Sequence, residues 1–522
     1  MLKQIAETKQ SIPERKIPVA RILLTLFFLM STLVPAAQAQ EPLPSPDSSD
    51  PQAIDAVLDG SIFGVEMYPV NTQGGLGYIN GTYTRWVRGP EIIWKDVEVT
   101  KGVYNWSAIN NAVTEIQNAR NVQTGASVIV IVRGTPSWAK ANPPYSCGPV
   151  KQSEFPAFAN FMFNLIGELS NRGITYVKHW EIWNEPDIPA LSPSDPDQFW
   201  GGCWGNPSDA YYGGGYYGEF LKAIYPTIKT KDPNAQIIIG GLSLDCDPRY
   251  PPPVGKSDCN MSKFLEGILL SGAANAFDGV AFHAFDYVLK DQNGAYLLGQ
   301  YNNTNWPGSA WNENGPALVQ KARFVKSILA QYNVTGKFIM NTENSLLDSD
   351  LSTYSNPYPT TLETTKSYYL AQAYAAAYAE GLRANIWFDV TGSWVRNNGM
   401  VKLDNSAALD AWYAYVFIAG QAGNTLTVEQ FRYLNPLSYP GVTGHEFGII
   451  PPTSSGLNPF HVWLLWSKDG SIHDITLPYP TPAVYDVRGN VIFQNVQTLS
   501  ITPQPYYIVM NPVVARSRLP LV

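Results

Sequence analysis

The chain has 522 residues, of which 45% are hydrophobic and only 15% are charged. That much apolar material can form a large core, so the composition excludes a wholly disordered protein. The formal net charge is −8, which argues against a nucleic-acid partner, because a phosphate-binding surface needs clustered lysines and arginines. The 15 tryptophans and 30 tyrosines either fill the core or line a groove whose rings stack on an uncharged ligand.

The first 39 residues have the pattern of a secretory signal. A basic stretch precedes an almost wholly apolar run at 22–34, and Ala37-Gln38-Ala39 then supplies a small-x-small cleavage pattern. The apolar run is shorter than the roughly 20 residues that span a bilayer. We predict a cleaved signal at 1–39 and an exported protein with no membrane span in the mature chain. An uncleaved N-terminal anchor is the alternative. Residues 40–59, rich in Pro, Ser and Asp, predict a flexible lead-in.

Four cysteines are candidates for disulfides if the chain is exported. Cys246 and Cys259 flank one proline-rich segment, so we expect them to pair, and Cys147 would then pair with Cys203. Free buried thiols are the alternative. No C-x-x-C is present and histidines number only 5, so the sequence predicts no zinc site. No cluster of metal ligands or nucleotide-binding motif emerges, and we expect no metal and no cofactor.

Strands alternate with helices between about residues 60 and 420. Eight strand-like runs occur at 62–65, 84–88, 127–132, 176–183, 236–239, 279–282, 337–340 and 384–388. The run at 127–132 is almost uniformly apolar, as expected for a strand buried on both faces. Helical spacing or composition occurs at 154–169, 220–228, 318–329, 367–382 and 406–418. Eight such strands alternating with helices predict a (β/α)8 TIM barrel rather than an open doubly wound sheet.

The pattern changes after about residue 420. Short alternating strands separated by Pro and Gly turns occur at 461–466, 472–477, 483–487, 491–493 and 506–509. We therefore predict a barrel at 60–420 and a small C-terminal antiparallel β-sandwich domain at 421–522.

Two glutamates follow strands that lie nearly opposite each other in such a barrel. The fourth strand ends in Trp183-Asn184-Glu185-Pro186, and the seventh ends in Asn341-Thr342-Glu343-Asn344. Reacting groups of (β/α)8 enzymes lie where strands end, so both side chains should face one mouth. Two carboxyl groups about 5 Å apart are what retaining glycoside hydrolysis requires. Structural partners of nearby cations are the alternative interpretation for either residue alone.

The motifs at these strand ends resemble those of the retaining (β/α)8 glycoside hydrolases of clan A. Trp183–Pro186 (WNEP) resembles the acid/base signature of the clan, and Thr342–Asn344 (TEN) resembles its nucleophile strand. Thr135–Ala139 (TPSWA) and Trp94–Trp106 are further matches, and they resemble the β-xylosidase and β-galactosidase branches, including family 39. The resemblance covers about residues 60 to 420. The C-terminal domain also resembles the small β-sandwiches that accompany such barrels.

The resemblance implies roles for four residues. Glu185 would be the acid/base, Glu343 the nucleophile, Asn184 the amide that binds the 2-hydroxyl of the sugar, and Arg88 the basic residue that keeps the nucleophile ionised. His283 lies where the clan often has His-x-Tyr, but this chain has His-Ala-Phe.

Other candidates for substrate binding are less specific. Tyr287 could supply the missing hydroxyl of the His-x-Tyr pattern. Trp387, and less strongly Trp138, could stack on a sugar ring. Glu66 could bind a hydroxyl, and we interpret Glu181 as a buried structural partner.

The sequence therefore predicts an exported retaining glycosidase acting on β-linked glycans or glycosides. The rival hypotheses are an inactive carbohydrate-binding protein on the same barrel, a transglycosylase, and a structural surface protein. The sugar, the linkage, endo or exo action and the oligomeric state are not encoded in any pattern that we can identify.

Overall fold

The computed structural model describes residues 61–122, 126–142, 145–191, 201–253, 256–303, 311, 315–348, 358–392, 397–423 and 428–510. The expected signal and lead-in lie outside the described residues. So does part of the long loop between the fourth and fifth strands.

Eight parallel strands close into a barrel, as predicted. The first nine strands in chain order are β1 (Phe63–Glu66), β2 (Trp86–Ile93), β3 (Ser127–Arg133), β4 (His179–Ile182), β5 (Gln236–Leu242), β6 (Gly279–Lys290), β7 (Tyr296–Asn302), β8 (Phe338–Leu347) and β9 (Ala384–Trp387). The pairing order is β5-β4-β3-β2-β1-β9-β8-β6, and β5 also pairs with β6 to close the ring. β7 forms an antiparallel hairpin with β6 outside this ring. All eight barrel strands thus direct their carboxyl ends to one mouth.

Helices follow most of the barrel strands and cover its outside. They are α1 (Leu76–Ile79), α2 (Trp94–Val97), α3 (Asn110–Asn121), α4 (Phe155–Asn171), α5 (Gly214–Lys231), α6 (Phe264–Leu270), α7 (Leu318–Gln331), α8 (Thr360–Ala379) and α9 (Asp410–Gly423). Their apolar faces, together with the outward faces of the strands, form the main core. No helix within the described ranges is both long and apolar enough to cross a membrane.

The inside of the barrel is filled by a separate apolar layer. Its members come from several strands and include Trp86, Ile129, Ile238, Ala281 and Met340. Side chains two positions apart on a strand face the same way. The residues two positions after Trp86 and Ala281 are Arg88 and His283, so the alternation of the strands places these polar side chains in the next layer towards the mouth.

The C-terminal strands form two antiparallel sheets, as expected for a small β-sandwich. They are β10 (Gln430–Tyr439), β11 (Val442–Ile450), β12 (Phe460–Ser467), β13 (His473–Thr481), β14 (Val484–Tyr485), β15 (Val491–Phe493), β16 (Val496–Ile501) and β17 (Tyr506–Met510). One sheet has the order β10-β11-β12-β17-β14-β15, and the other pairs β13 with β16.

Aromatic contacts fix this domain to the last two helices of the barrel. Tyr378 of α8 contacts Phe431 of β10 at a ring distance of 4.8 Å, and Phe417 of α9 contacts Tyr507 of β17 at 5.2 Å. Helix α9 continues to Gly423, three residues past the boundary that the sequence predicted.

Several strand boundaries differ from the predicted ones. The second strand, which we expected to end at Arg88, begins at Trp86 and continues to Ile93. β6 and β8 run well past their predicted ends, and their pairing extends to Tyr287 opposite Leu347. The pairing between these strands satisfies backbone groups that the sequence interpretation had assigned to loops. β7, β10, β11 and β16 were not predicted.

Both expected disulfides are present. Cys147, after β3, pairs with Cys203, after β4, and Cys246 pairs with Cys259 in the segment after β5. The first bond fixes a loop that contacts the WNEP motif, because the Gly202 amide donates to the carbonyl of Asn184 at 2.8 Å.

We predict unequal effects of removing the two disulfides. Replacing Cys147 and Cys203 with serine opens a loop of 56 residues and should lower the free energy of unfolding by about 4 kcal/mol. The corresponding change at Cys246 and Cys259 opens a loop of 13 residues and should cost about 3 kcal/mol. Guanidinium unfolding of both double variants tests this, and a larger loss in the second variant would contradict it.

Candidate active site

Arg88 lies fully buried at the centre of the barrel mouth. Its Nε and Nη2 donate to the two oxygens of Glu181 at 3.0 and 2.8 Å, and Nη2 also donates to Asn184 Oδ1 at 2.6 Å. Its Nη1 donates to Glu66 at 2.8 and 2.7 Å and to Glu343 Oε1 at 2.8 Å. The five N–H bonds of the guanidinium are therefore all engaged. One side chain on β2 thus joins groups from β1, β4 and β8.

Glu343 lies within β8 rather than in a turn after it. The register places it opposite His283 of β6, and its neighbours along the strand are buried. The Glu343 side chain is 10% exposed, whereas those of Glu66 and Glu181 have no exposed surface. Of the three carboxyl groups on Arg88, only Glu343 has contact with solvent at the mouth.

Glu185 follows β4 in a strained backbone conformation. The backbone φ of Glu185 is +45° and that of Trp183 is +69°. Residues other than glycine rarely adopt such values. The Glu185 amide donates to the carbonyl of Gly241 at 3.0 Å, which holds the turn against β5. Such strain is found at functional sites, where the surrounding structure over-determines the conformation. Here the turn leaves the Glu185 side chain 17% exposed.

His283 contacts both glutamates. Its Nδ1 lies 3.0 Å from Glu185 Oε1, at hydrogen-bond distance, and its Nε2 lies 3.4 Å from Glu343 Oε1. Burial lowers the pKa of His283 well below its usual value, so the ring is neutral and has one donor and one acceptor nitrogen. Gly241 makes room for this ring, because a Cβ there would lie 2.0 Å from His283 Nε2.

Burial raises the pKa of both candidate catalytic carboxyl groups. The pKa of Glu185 rises to about 7, against the attraction of Lys321 and Arg88. The pKa of Glu343 is raised by burial and by the carboxyl groups of Glu66 and Glu185, against the attraction of Arg88. Arg88 and Lys321 together cannot balance the charges of all the carboxyl groups gathered here, so the cluster retains protons.

Lys321 is a charged member of the site that sequence reasoning missed. It is only 3% exposed, and its Nζ donates to the carbonyls of Ser243 and His283 at 2.6 and 2.7 Å. Burial lowers its pKa to about 8. A signal was available, because Lys321 lies three residues after Leu318 and four before Val325 on the apolar face of α7.

Three rings form an arc at the mouth. Tyr68 is 37% exposed and lies edge-on to Phe388 at 6.2 Å, and Phe388 lies edge-on to Phe285 at 5.9 Å. The hydroxyl of Tyr68 hydrogen-bonds to Glu66, and burial, followed by the charges of Glu66, Glu91 and Glu343, raises the pKa of Tyr68. Tyr68 was not singled out from the sequence, although it follows the first strand by only two residues.

Two predicted contributors to substrate binding are placed elsewhere. Trp387 has no exposed surface, and its indole donates to the carbonyl of Asn398 at 3.0 Å, so it offers no ring face to a sugar. Glu66 is likewise fully buried with both oxygens on Arg88, so it offers no oxygen to a substrate. In this structure Trp387 packs in the core, and Glu66 belongs to the buried ion cluster.

Tyr287 lies further from Glu343 along the paired strands β6 and β8. Tyr287 is opposite Leu347, about 13 Å along the strand from the pair of His283 and Glu343. Tyr68 is therefore the better candidate for the hydroxyl near Glu343. Trp138 is partly exposed, donates to the carbonyl of Glu98 at 3.0 Å and lies edge-on to Trp94.

Comparison with protein-family models gives no match, and comparison with curated proteins gives none. Among solved structures, the chain is similar to a GH30 endoxylanase from Clostridium papyrosolvens C71, with a TM-score of 0.50, 12% identity, and coverage of 86% of this chain and 96% of that one. It is also similar to SrfJ from Salmonella typhimurium, with a TM-score of 0.50, 11% identity, and coverage of 86% and 89%. The predicted resemblance to a (β/α)8 glycoside hydrolase is thus confirmed at the level of the fold.

Proposed function

We propose that the chain is an exported retaining glycoside hydrolase that cleaves β-linked glycans or glycosides. The observation that carries this proposal is the convergence of Glu185 and Glu343 on one buried imidazole at the barrel mouth. Both side chains keep some exposed surface, while the carboxyl groups behind them have none. A substrate entering the mouth would therefore meet these two carboxyl groups first.

The first step requires that one of the two glutamates is protonated and the other is ionised. Ionised Glu343, held by Arg88, attacks the anomeric carbon, and protonated Glu185 gives its proton to the departing glycosidic oxygen. The bond from carbon to the leaving oxygen breaks as the ester bond to Glu343 forms. The raised pKa of Glu185 supports its role as acid, because the group stays protonated near neutral pH.

The second step reverses these roles. Once Glu343 is an ester it carries no charge, so the pKa of Glu185 falls and its carboxylate can take a proton from water. The hydroxide equivalent then displaces Glu343 from the sugar, and the configuration is retained. Asn184, whose Oδ1 accepts from Arg88, would contact the sugar 2-hydroxyl through its amide nitrogen.

Several features support the finer parts of this proposal. The exposed ring of Tyr68, in the arc with Phe388 and Phe285, supplies an apolar surface for a sugar at the mouth. The two disulfides suit an exported protein, which agrees with a signal at 1–39. We propose that residues 60–420 form the catalytic barrel and residues 421–522 the accessory domain. Aryl β-xylosides are the first substrates to test, because one structural neighbour is an endoxylanase.

The experiment that tests the proposal uses azide rescue. Glu343→Ala should lose turnover by at least about a thousandfold, and azide should partly restore cleavage of an activated aryl glycoside with inversion of configuration. Glu185→Ala is the matched control, because its nucleophile remains and azide should there give a product of retained configuration. Rescue of Glu343→Ala with retention would contradict the assignment, and a wild-type protein that binds but never cleaves glycosides would show a binding protein.

The pH dependence is expected to report Glu185. Because its pKa is raised to about 7, kcat/KM should fall as the pH rises through that value. The profile should be bell-shaped, because kcat/KM also falls on the acidic side as the nucleophile Glu343 becomes protonated. In Glu185→Gln the alkaline fall should disappear for a substrate with a good leaving group, which needs little protonation. The measurement is the pH profile of both proteins on an activated aryl glycoside. An unchanged alkaline limb in the variant would assign the acid to another group.

A further inference from the structure

Glu66 has an unusual position in the cluster around Arg88. It ends β1, has no exposed surface, and places both carboxyl oxygens within 2.8 Å of the same guanidinium nitrogen, Nη1. That nitrogen also donates to Glu343 Oε1 at 2.8 Å. Two hydrogens on Nη1 are therefore offered to three carboxyl oxygens. Glu66 and Glu343 compete for one nitrogen.

Glu181 is bound quite differently. It receives two parallel bonds from Nε and Nη2 of Arg88, and the amide of Gly241 donates a third at 3.0 Å. This fork is the geometry in which a carboxylate and a guanidinium pair most strongly. The single positive charge of Arg88 is thus balanced by Glu181, and a second and third carboxylate on the other side of the guanidinium would be uncompensated.

A proton on Glu66 resolves both difficulties. It removes one of the buried negative charges, whose cost is high without a partner. It also turns one Glu66 oxygen from an acceptor into a donor, so the two hydrogens of Nη1 meet two accepting oxygens instead of three. Burial raises the pKa of Glu343 as well. Its side chain is nevertheless 10% exposed, whereas Glu66 has no solvent contact at all, so a negative charge is better solvated on Glu343 and the proton is better placed on Glu66.

We propose that Glu66 is a positioning residue that stays protonated in the active enzyme, so that Arg88 presents Nη1 to an ionised Glu343. This inference rests on the proposed function, since it explains how the nucleophile remains charged among other carboxyl groups. Burial also raises the pKa of Glu66 to about 7. The titratable and charged groups that face it are Tyr68, Arg88, Glu181 and Glu343.

The test compares Glu66→Gln with Glu181→Gln, two amide replacements on opposite sides of the same guanidinium. Glu66→Gln resembles the protonated residue, so kcat/KM should fall only about two- to tenfold, and the acidic limb of the pH profile should stay in place. Glu181→Gln removes the charge that balances Arg88, and kcat/KM should fall at least about a hundredfold. A shift of the acidic limb to lower pH in Glu66→Gln would overturn the proposal, because it would show that Glu66 had been ionised.

Infrared difference spectra give an answer that does not depend on activity. At a pH below 7, the wild-type spectrum minus that of Glu66→Gln should contain the carbonyl band of a protonated carboxylic acid. The difference with Glu181→Gln should contain carboxylate bands instead. A carboxylate signature for Glu66 would overturn the proposal even if the protein hydrolyses no glycoside, and an acid band would support it in the same case. If Glu66→Gln does not fold, Glu66→Met serves for the same difference spectrum.

Discussion

The site depends on the single guanidinium of Arg88. Five N–H bonds in a fixed plane reach three carboxyl groups and one amide from strands β1, β4 and β8, and this is possible only because parallel strands direct their ends to one mouth. The arrangement fixes geometry and charge together. Arg88 and Lys321 are outnumbered by the buried carboxyl groups around them, so some of these groups retain protons, which is the condition that acid catalysis near neutral pH needs.

The backbone around the acid candidate is held by unusual local conformations. Trp183 and Glu185 have positive φ values, and the disulfide from Cys147 to Cys203 fixes the loop that packs against this turn. Gly241 provides the space that the His283 ring occupies. A strained turn at Trp183 and Glu185 and a glycine at position 241 together allow one neutral imidazole to lie between two carboxyl groups.

The sequence predicts the barrel well because buried parallel strands give continuous apolar runs that are hard to mistake. Positions at strand ends single out Glu185 and Glu343, and the resemblance to clan A adds Arg88 and Asn184. The structure brings these four side chains together. The sequence does not show whether a side chain at a strand end faces the mouth or the core. Trp387 and Phe388 are neighbours, and only the folded backbone shows that Phe388, rather than Trp387, joins the ring arc at the mouth.

Glu66 illustrates a second limit. The sequence pattern of a carboxylate at a strand end is the same whether the group binds substrate or a buried arginine. These two roles differ only in distances between strands that are far apart in the chain. β10 and β11 also depend on contacts that are distant in the chain. Their Gly and Pro residues favour turns locally, and pairing with neighbouring strands overrides that preference.

The most direct test of the account is to trap the covalent intermediate. An activated 2-deoxy-2-fluoro glycoside slows the second step, so the sugar should stay attached to the nucleophile, and peptide mass spectrometry would locate it. We expect one sugar per chain, attached to Glu343 and absent from Glu343→Gln. Attachment to Glu185 or to Glu66, or turnover of a cleavable substrate with no labelling at all, would show that Glu343 is not the nucleophile.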